Sequence, residues 1–134
     1  MDFLTDNRSE KIIEITKNPK VELCWLLPKT RSQFRLRGER IKLEKEMEEK
    51  TLHQYWMNLN PTARALWSWP APGRKVSATD EFPTEIPENH PMLPSFELMR
   101  IEITQVELLE LKATPHKRRR WRVEENWKEE YLNP

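Results

Sequence analysis

The chain has 134 residues, with 23 Lys and Arg against 22 Asp and Glu, so its net charge is +1, and 37% of its residues are hydrophobic. That length suits one domain with one core, and the balanced charge argues against a generally basic nucleic-acid binder. A lone cysteine, Cys24, excludes an internal disulfide, the two glycines exclude Gly-rich phosphate loops, and no apolar run approaches a membrane span.

The chain opens in strand character at Asp2-Phe3-Leu4-Thr5. Asn7-Arg8-Ser9-Glu10 predicts a helix start, with Asn7 as cap and Glu10 three residues on, as in a capping box. Ile12, Ile13 and Ile15 supply the apolar face. Asn18-Pro19 ends the helix, because the residue before proline is pushed out of helical geometry. Residues 21–27 form a short apolar run that predicts a strand, followed by a turn at 29–31. Residues 33–43 predict another strand. Phe34 and Leu36 share a face, but beyond Gly38 the apolar Ile41 and Leu43 are out of phase, which predicts a β-bulge at Gly38-Glu39.

Residues 44–59 predict an amphipathic helix, and 61–67 a short one with Pro61 in its first turn. Pro70, Pro72, Pro83, Pro87, Pro91 and Pro94 predict a loop lying over a surface. Residues 96–111 return to strand alternation, with a second phase slip near Thr104-Gln105. Thr114-Pro115 reads as a turn, 116–123 as a final strand and 127–134 as a tail. Long bent antiparallel strands with a few helices predict a mainly β, α+β fold of small-barrel type, with residues 1–134 as a single domain.

No Ser-His-Asp or Cys-His arrangement stands out, and His53, His90 and His116 are too dispersed for clustered zinc ligation, so no metal is expected. Three polar constellations remain. Arg8-Ser9-x-Lys11 sets two cations and a hydroxyl at a helix start, which suits a phosphate monoester and equally makes an ordinary solvated cap. Gln33-x-Arg35-x-Arg37 lies on one face of a strand, where Gln33 can read a heterocycle edge or simply meet solvent. Residues 117–122 form a basic run with Trp121, which suits nucleic acid or a basic edge strand protected from aggregation. The six tryptophans suit core or interface anchors, and Cys24, inside an apolar run, is expected to be buried. The N-terminus has no basic start followed by an apolar core, and a reducing, cytoplasmic setting is expected.

Thr5-Asp6-x-Arg8-Ser9-x-Lys11, Asn18-Pro19-x-x-Glu22-x-Cys24-Trp25 and Gln33-Phe34-Arg35-x-x-Gly38 occur in that order. This pattern resembles the pyridoxamine 5'-phosphate oxidase-like, FMN-binding split-barrel family. Leu93-Pro94-Ser95-Phe96, the strand around residues 100–107, the basic strand at 116–122 and the ending Trp127-x-x-x-x-Leu132-x-Pro134 resemble it too. The resemblance is weakest over 44–92. It implies FMN as cofactor, with the phosphate held by Arg8, Ser9 and Lys11 and the flavin ring met by Gln33 and by Arg118 or Arg119. It also implies a homodimer with the flavin at its interface, and hydride transfer to the isoalloxazine N5 in an oxidoreductase of unknown substrate.

Relative to the family the chain begins after two strands that carry a further FMN-binding Arg and Lys pair, so an N-terminally truncated domain is expected. Tyr55 matches the vitamin-processing enzymes, but Leu59 and Ala63 stand near their substrate-phosphate Arg and Ser, so oxidation of pyridoxamine phosphate is not expected. The alternative from a different class is a non-catalytic module that holds FMN, another anionic ligand or only a partner chain. Nucleic-acid binding through 117–122 is the weaker reading.

Overall fold

The computed structural model describes residues 1–134, with six strands and three α-helices. The α+β class holds, and no helix is long and apolar enough to cross a membrane. The chain divides into two compact units: residues 2–18 with 42–100, and Met1 with 19–41 and 101–134. One long strand, β4 (Phe96–Glu110), contributes residues to both.

In the first unit, β1 (Asp2–Asp6) pairs antiparallel with the start of β4, Asp2 opposite Arg100 and Asp6 opposite Phe96. The Arg100 guanidinium grips the Asp2 carboxylate with two bonds of 2.6 Å, and the Tyr55 hydroxyl donates to the same carboxylate at 3.0 Å. Next comes α1 (Glu10–Lys17), which stops before Asn18-Pro19 as its sequence predicts. Its cap is Ser9 and not Asn7, and no side-chain capping bond forms. The Asn7 amide donates instead to the Pro94 carbonyl at 2.6 Å, a partner 87 residues away that no local pattern announces.

The helices α2 (Lys45–Asn58) and α3 (Pro61–Ala65) follow. Pro61 opens α3, where a missing amide costs nothing, and the Asn60 side chain accepts the Ala63 N–H at 2.8 Å. The helix expected to reach Trp67 ends at Ala65 and continues as a 3-10 turn, Leu66–Ser68. Trp56 is the one buried residue of α2. It meets Phe96 edge-on at 5.3 Å, and Trp67 meets Phe96 at 4.8 Å. Arg64 is 1% exposed and has no carboxylate partner. It donates to the carbonyls of Trp56, Met57 and Pro87, each at 3.3 Å, and its guanidinium lies 5.4 Å over the Trp56 ring. A cation thus satisfies carbonyls at the negative end of α2.

Residues 70–94 hold no helix or strand. They are more than a surface covering, because Ile86 is buried. Its N–H bonds the Pro61 carbonyl at 3.0 Å, and the Trp56 and Trp69 indoles donate to the carbonyls of His90 and Pro83.

The second unit carries β2 (Lys20–Leu27), β3 (Ser32–Ile41), the rest of β4, β5 (Lys117–Arg122) and β6 (Glu130–Leu132). The strand path is β2-β3-β4-β5-β6, with β1 on β4. It does not return on itself, so the sheet is open. The β2–β3 register is uninterrupted from Lys20↔Glu39 to Leu27↔Ser32, so the expected bulge at Gly38-Glu39 is absent from this pairing. Gly38 answers a different need. It is buried, and a Cβ there would overlap the Glu102 carbonyl. The second phase slip falls between the part of β4 paired with β1, ending at Arg100, and the part paired with β5, starting at Gln105.

Cys24 and the C-terminal tail both depart from their expected places. Cys24 is exposed, because Glu22, Cys24 and Leu26 point to the face shared with Arg37, Arg35 and Gln33, on a strand at the end of the sheet. The 127–134 tail contains β6, which pairs with β5. The turn between them runs through Asn126 and Trp127, both at positive φ (52° and 57°), a conformation unusual for a bulky side chain.

Candidate functional site

The motif Thr5-Asp6-x-Arg8-Ser9-x-Lys11 covers the end of β1 and the first turn of α1. Asp6 organises it. Its backbone carbonyl accepts the Ser9 N–H at 3.1 Å and the Ser9 hydroxyl at 2.8 Å. Its carboxylate accepts the Arg8 backbone N–H at 2.8 Å, Nε at 2.9 Å and Nη2 at 2.6 Å. Arg8 Nη2 also donates to the Trp69 carbonyl at 2.9 Å. The Arg8 guanidinium holds the Asp6 carboxyl below the usual carboxylate range, and Lys11 adds to that effect. Arg8 therefore braces the turn with its charge matched locally. Lys11, the second residue of α1, is exposed, with its ammonium outside every hydrogen bond and ion pair of the chain. Thr5 is 4% exposed, and its Oγ1 is buried without a hydrogen-bond partner. An orphaned hydroxyl costs about 1–3 kcal/mol, so a hydrogen-bonding group from outside the chain has something to gain beside this turn.

In the second unit a cavity of about 100 Å³ is lined by Gln33, Arg35, Glu107, Leu109, Arg118 and Pro134. β3 supplies Gln33 and Arg35 from alternate positions of one face. On β4, Glu107 stands opposite Arg120, with Arg118 two residues along on the same face of β5. The Glu107 carboxylate is 6% exposed. It accepts Arg118 Nη2 at 2.6 Å and Nε at 3.1 Å on one oxygen and the Gln105 amide at 2.9 Å on the other. The side chains of Gln33 and Arg35 make no hydrogen bond within the chain. The cavity thus combines a neutral donor–acceptor amide, an unmatched cation and a matched ion pair.

Arg119 belongs elsewhere. It stands opposite Leu108 on the other face of β5, where Glu110 and Glu129 bind it at 2.9 and 3.0 Å. Arg120 is held by Glu130 at 2.8 Å, and Arg122 by Glu124, Glu125 and Glu130. Every arginine of the basic strand is therefore matched by a carboxylate, which reduces the positive charge that 117–122 offers to a nucleic acid.

The structure gathers Arg8, Ser9 and Lys11 at one turn and Gln33 with Arg118 at one cavity. Thr5 and Glu107 were not singled out from sequence. Thr5 opens the same motif and differs from an ordinary strand threonine only in its burial without a partner. Glu107 carried one faint signal, a carboxylate inside the apolar run Val106 to Leu109.

Comparison with known proteins bears on this arrangement. A family model described as pyridoxamine 5'-phosphate oxidase, FMN-binding domain, matches residues 1–44. Among solved structures, the chain is similar to a pyridoxamine 5'-phosphate oxidase-related, FMN binding protein from Nostoc punctiforme PCC 73102. Identity is 31% and the TM-score 0.82, with 99% of this chain and 72% of that one covered. It is also similar to PhzG from Burkholderia lata 383, solved in complex with tetrahydrophenazine-1-carboxylic acid. There identity is 20% and the TM-score 0.78, with 99% and 68% covered, a likeness of fold. A search of curated proteins finds no match.

Proposed function

The chain belongs to the pyridoxamine 5'-phosphate oxidase-related, FMN-binding family, and from that premise we propose that it binds FMN and serves as a flavin-dependent oxidoreductase. The observation that carries the proposal is the pairing of that family membership with unengaged polar groups at the two motif positions. The Thr5 hydroxyl and the Lys11 ammonium have no bonding partner in the first unit, and neither has the Gln33 amide in the second. Such groups fit a phosphate monoester and a heterocycle edge respectively.

In this reading Lys11 and the Thr5 hydroxyl hold the phosphate, and Ser9 joins them by turning its hydroxyl from the Asp6 carbonyl to the ligand. Arg8 contributes by fixing the turn through Asp6 and by offering Nη1, the guanidinium nitrogen outside its bonds to Asp6 and the Trp carbonyls. Gln33 reads the ring edge. Of the two late-strand arginines, Arg118 is taken for the ring and Arg119 is set aside, because it lies on the other face of β5 with both terminal nitrogens bound by Glu110 and Glu129. Bound FMN supplies two-electron chemistry that no side chain here provides. The protein's part is to bind, orient and set local charge.

A homodimer accompanies the proposal. Trp25 and Leu26 are each 55% exposed, on opposite faces of β2, and self-association at this end of the sheet would cover such apolar groups. A cytoplasmic setting fits a free, exposed Cys24. Titrating the protein into FMN while following flavin fluorescence tests the core of the proposal. Saturable binding with one FMN per chain is expected. Fluorescence that never saturates up to millimolar protein removes it. Sedimentation at micromolar concentration is expected to give twice the chain mass, and a monomer would remove the dimer.

A further inference from the structure

The cavity that holds Gln33 and Arg118 also holds Arg35 and Glu107. The two arginines are in different electrostatic states. Arg118 gives two hydrogen bonds to one oxygen of a carboxylate that is itself almost fully buried, while the Arg35 guanidinium has no carboxylate or carbonyl partner. The other Glu107 oxygen is held by Gln105, so the carboxylate cannot swing away from Arg118 without breaking a second bond. Leu109 adds an apolar wall and Pro134, the last residue, lines the cavity beside it, and a partly enclosed ion pair is screened less than an exposed one.

We propose that Glu107 is a positioning residue that fixes Arg118 at the cavity and cancels its charge, so that Arg35 supplies the positive charge this site has available for a ligand. The proposal rests on the cavity receiving the flavin ring. Its consequence is electrostatic. The two-electron-reduced ring is anionic near neutral pH and the oxidised ring is neutral, so the unmatched charge beside it sets the preference between the two. A site with one matched and one unmatched arginine favours the reduced ring moderately. Releasing Arg118 from Glu107 adds a second unmatched cation in a poorly solvated place, and removing Arg35 takes away the first.

The test is the midpoint potential of protein-bound FMN in four proteins, with thermal melts of each as a folding control. Glu107→Gln keeps the shape and the acceptor for Gln105. It is expected to raise the preference for reduced over oxidised FMN about ten-fold, which is about +30 mV for a two-electron couple. Arg35→Gln, at an exposed and better screened position, is expected to lower it about three-fold, near −15 mV. The double variant Glu107→Gln/Arg118→Gln is expected to return to the parent value.

A Glu107 that serves packing alone would lower the melting temperature and leave the potential where it was, and that result overturns the proposal. If Glu107→Gln does not fold, Arg35→Gln decides, and an unchanged potential there overturns it too. A parent protein that binds no FMN removes the flavin reading itself. A parent that binds FMN, with variants whose potentials do not move, removes only the assignment of Glu107 and Arg35.

Discussion

Replacing Gly38 with alanine adds a single methyl group, and its effect can be worked from the geometry. An ideal Cβ at Gly38 overlaps the carbonyl oxygen of Glu102. It lies 2.9 Å from that residue's carbonyl carbon and 3.0 Å from Cγ2 of Ile101. Neither neighbour yields easily. Glu102 offers backbone, in a strand bonded on both sides, and Ile101 is 1% exposed. Overpacking of this kind costs about 1–3 kcal/mol, and backbone overlap puts the expected loss near the top of that range. A glycine in an uncrowded strand gives the opposite sign, because alanine there is better by about 0.5–1 kcal/mol. For a domain of this size a loss near 3 kcal/mol lowers Tm by roughly 10 °C. Thermal unfolding followed by circular dichroism measures it. Gly73→Ala is the internal control. Gly73 has φ +79° but nothing within 4 Å, so only its backbone conformation is strained and about 1 kcal/mol is at stake. A Gly38→Ala protein as stable as the parent, or more stable, would refute the close approach of β3 to β4.

Other substitutions probe the rest of the fold. Arg100 and then Tyr55, by their hydrogen bonds, hold the Asp2 carboxyl below its ordinary range. A depressed folded pKa stabilises fully above the unfolded value of about 3.9 and is lost as pH falls through the folded value. Asp2→Asn is therefore expected to destabilise more at pH 7 than at pH 3, below the unfolded carboxyl's range. Equal deficits in melts at both pH values would contradict it. Arg64→Met is expected to cost about 1–3 kcal/mol, because the Met57 carbonyl loses its donor while those of Trp56 and Pro87 keep the N–H groups of Leu59 and His90, and to speed proteolysis within residues 70–94, where Arg64 bonds the Pro87 carbonyl. Unchanged cleavage there would dismiss the clamp. Cys24 is expected to react with one equivalent of a thiol reagent in the native protein, and reaction only after unfolding would place it in a core.

The motif from Thr5 to Gly38 was legible because its residues lie in consecutive short elements whose order survives in one dimension. The failures were of a different kind. Asn7 has the chemistry of a cap, but its amide goes to Pro94, and such a long-range competitor leaves no local trace. Cys24 sits in an apolar run, yet on a strand at the end of the sheet the run's alternate residues face the polar row of Gln33, Arg35 and Arg37. The phase change at Gly38 looked like a bulge because both a bulge and a close backbone approach call for glycine. With only three residues, β6 is too short to show a period. At the site, the choice between Arg118 and Arg119 depended on which face of β5 meets Glu107, and that follows from strand register, which composition does not contain. The fold itself, an open-sheet relative of the split barrel, was legible as a class while the connection between strand partners was not.

The turn after β1 is proposed to recognise a phosphate carried by a flavin. The most direct test is a set of four titrations: FMN and riboflavin, each into the parent protein and into Lys11→Ala. Lys11 is exposed and bonded to nothing in the chain, so its removal leaves folding intact, which far-UV circular dichroism checks. A charged hydrogen bond to phosphate contributes about 1.5–3 kcal/mol, and each 1.4 kcal/mol is a factor of ten. The parent is expected to bind FMN more tightly than riboflavin. Lys11→Ala is expected to weaken FMN binding by about ten-fold or more and to leave riboflavin nearly unchanged. Equal affinity of the parent for the two flavins, or an FMN affinity untouched by Lys11→Ala, would contradict phosphate recognition at this turn and return Arg8-Ser9-x-Lys11 to an ordinary solvated helix start.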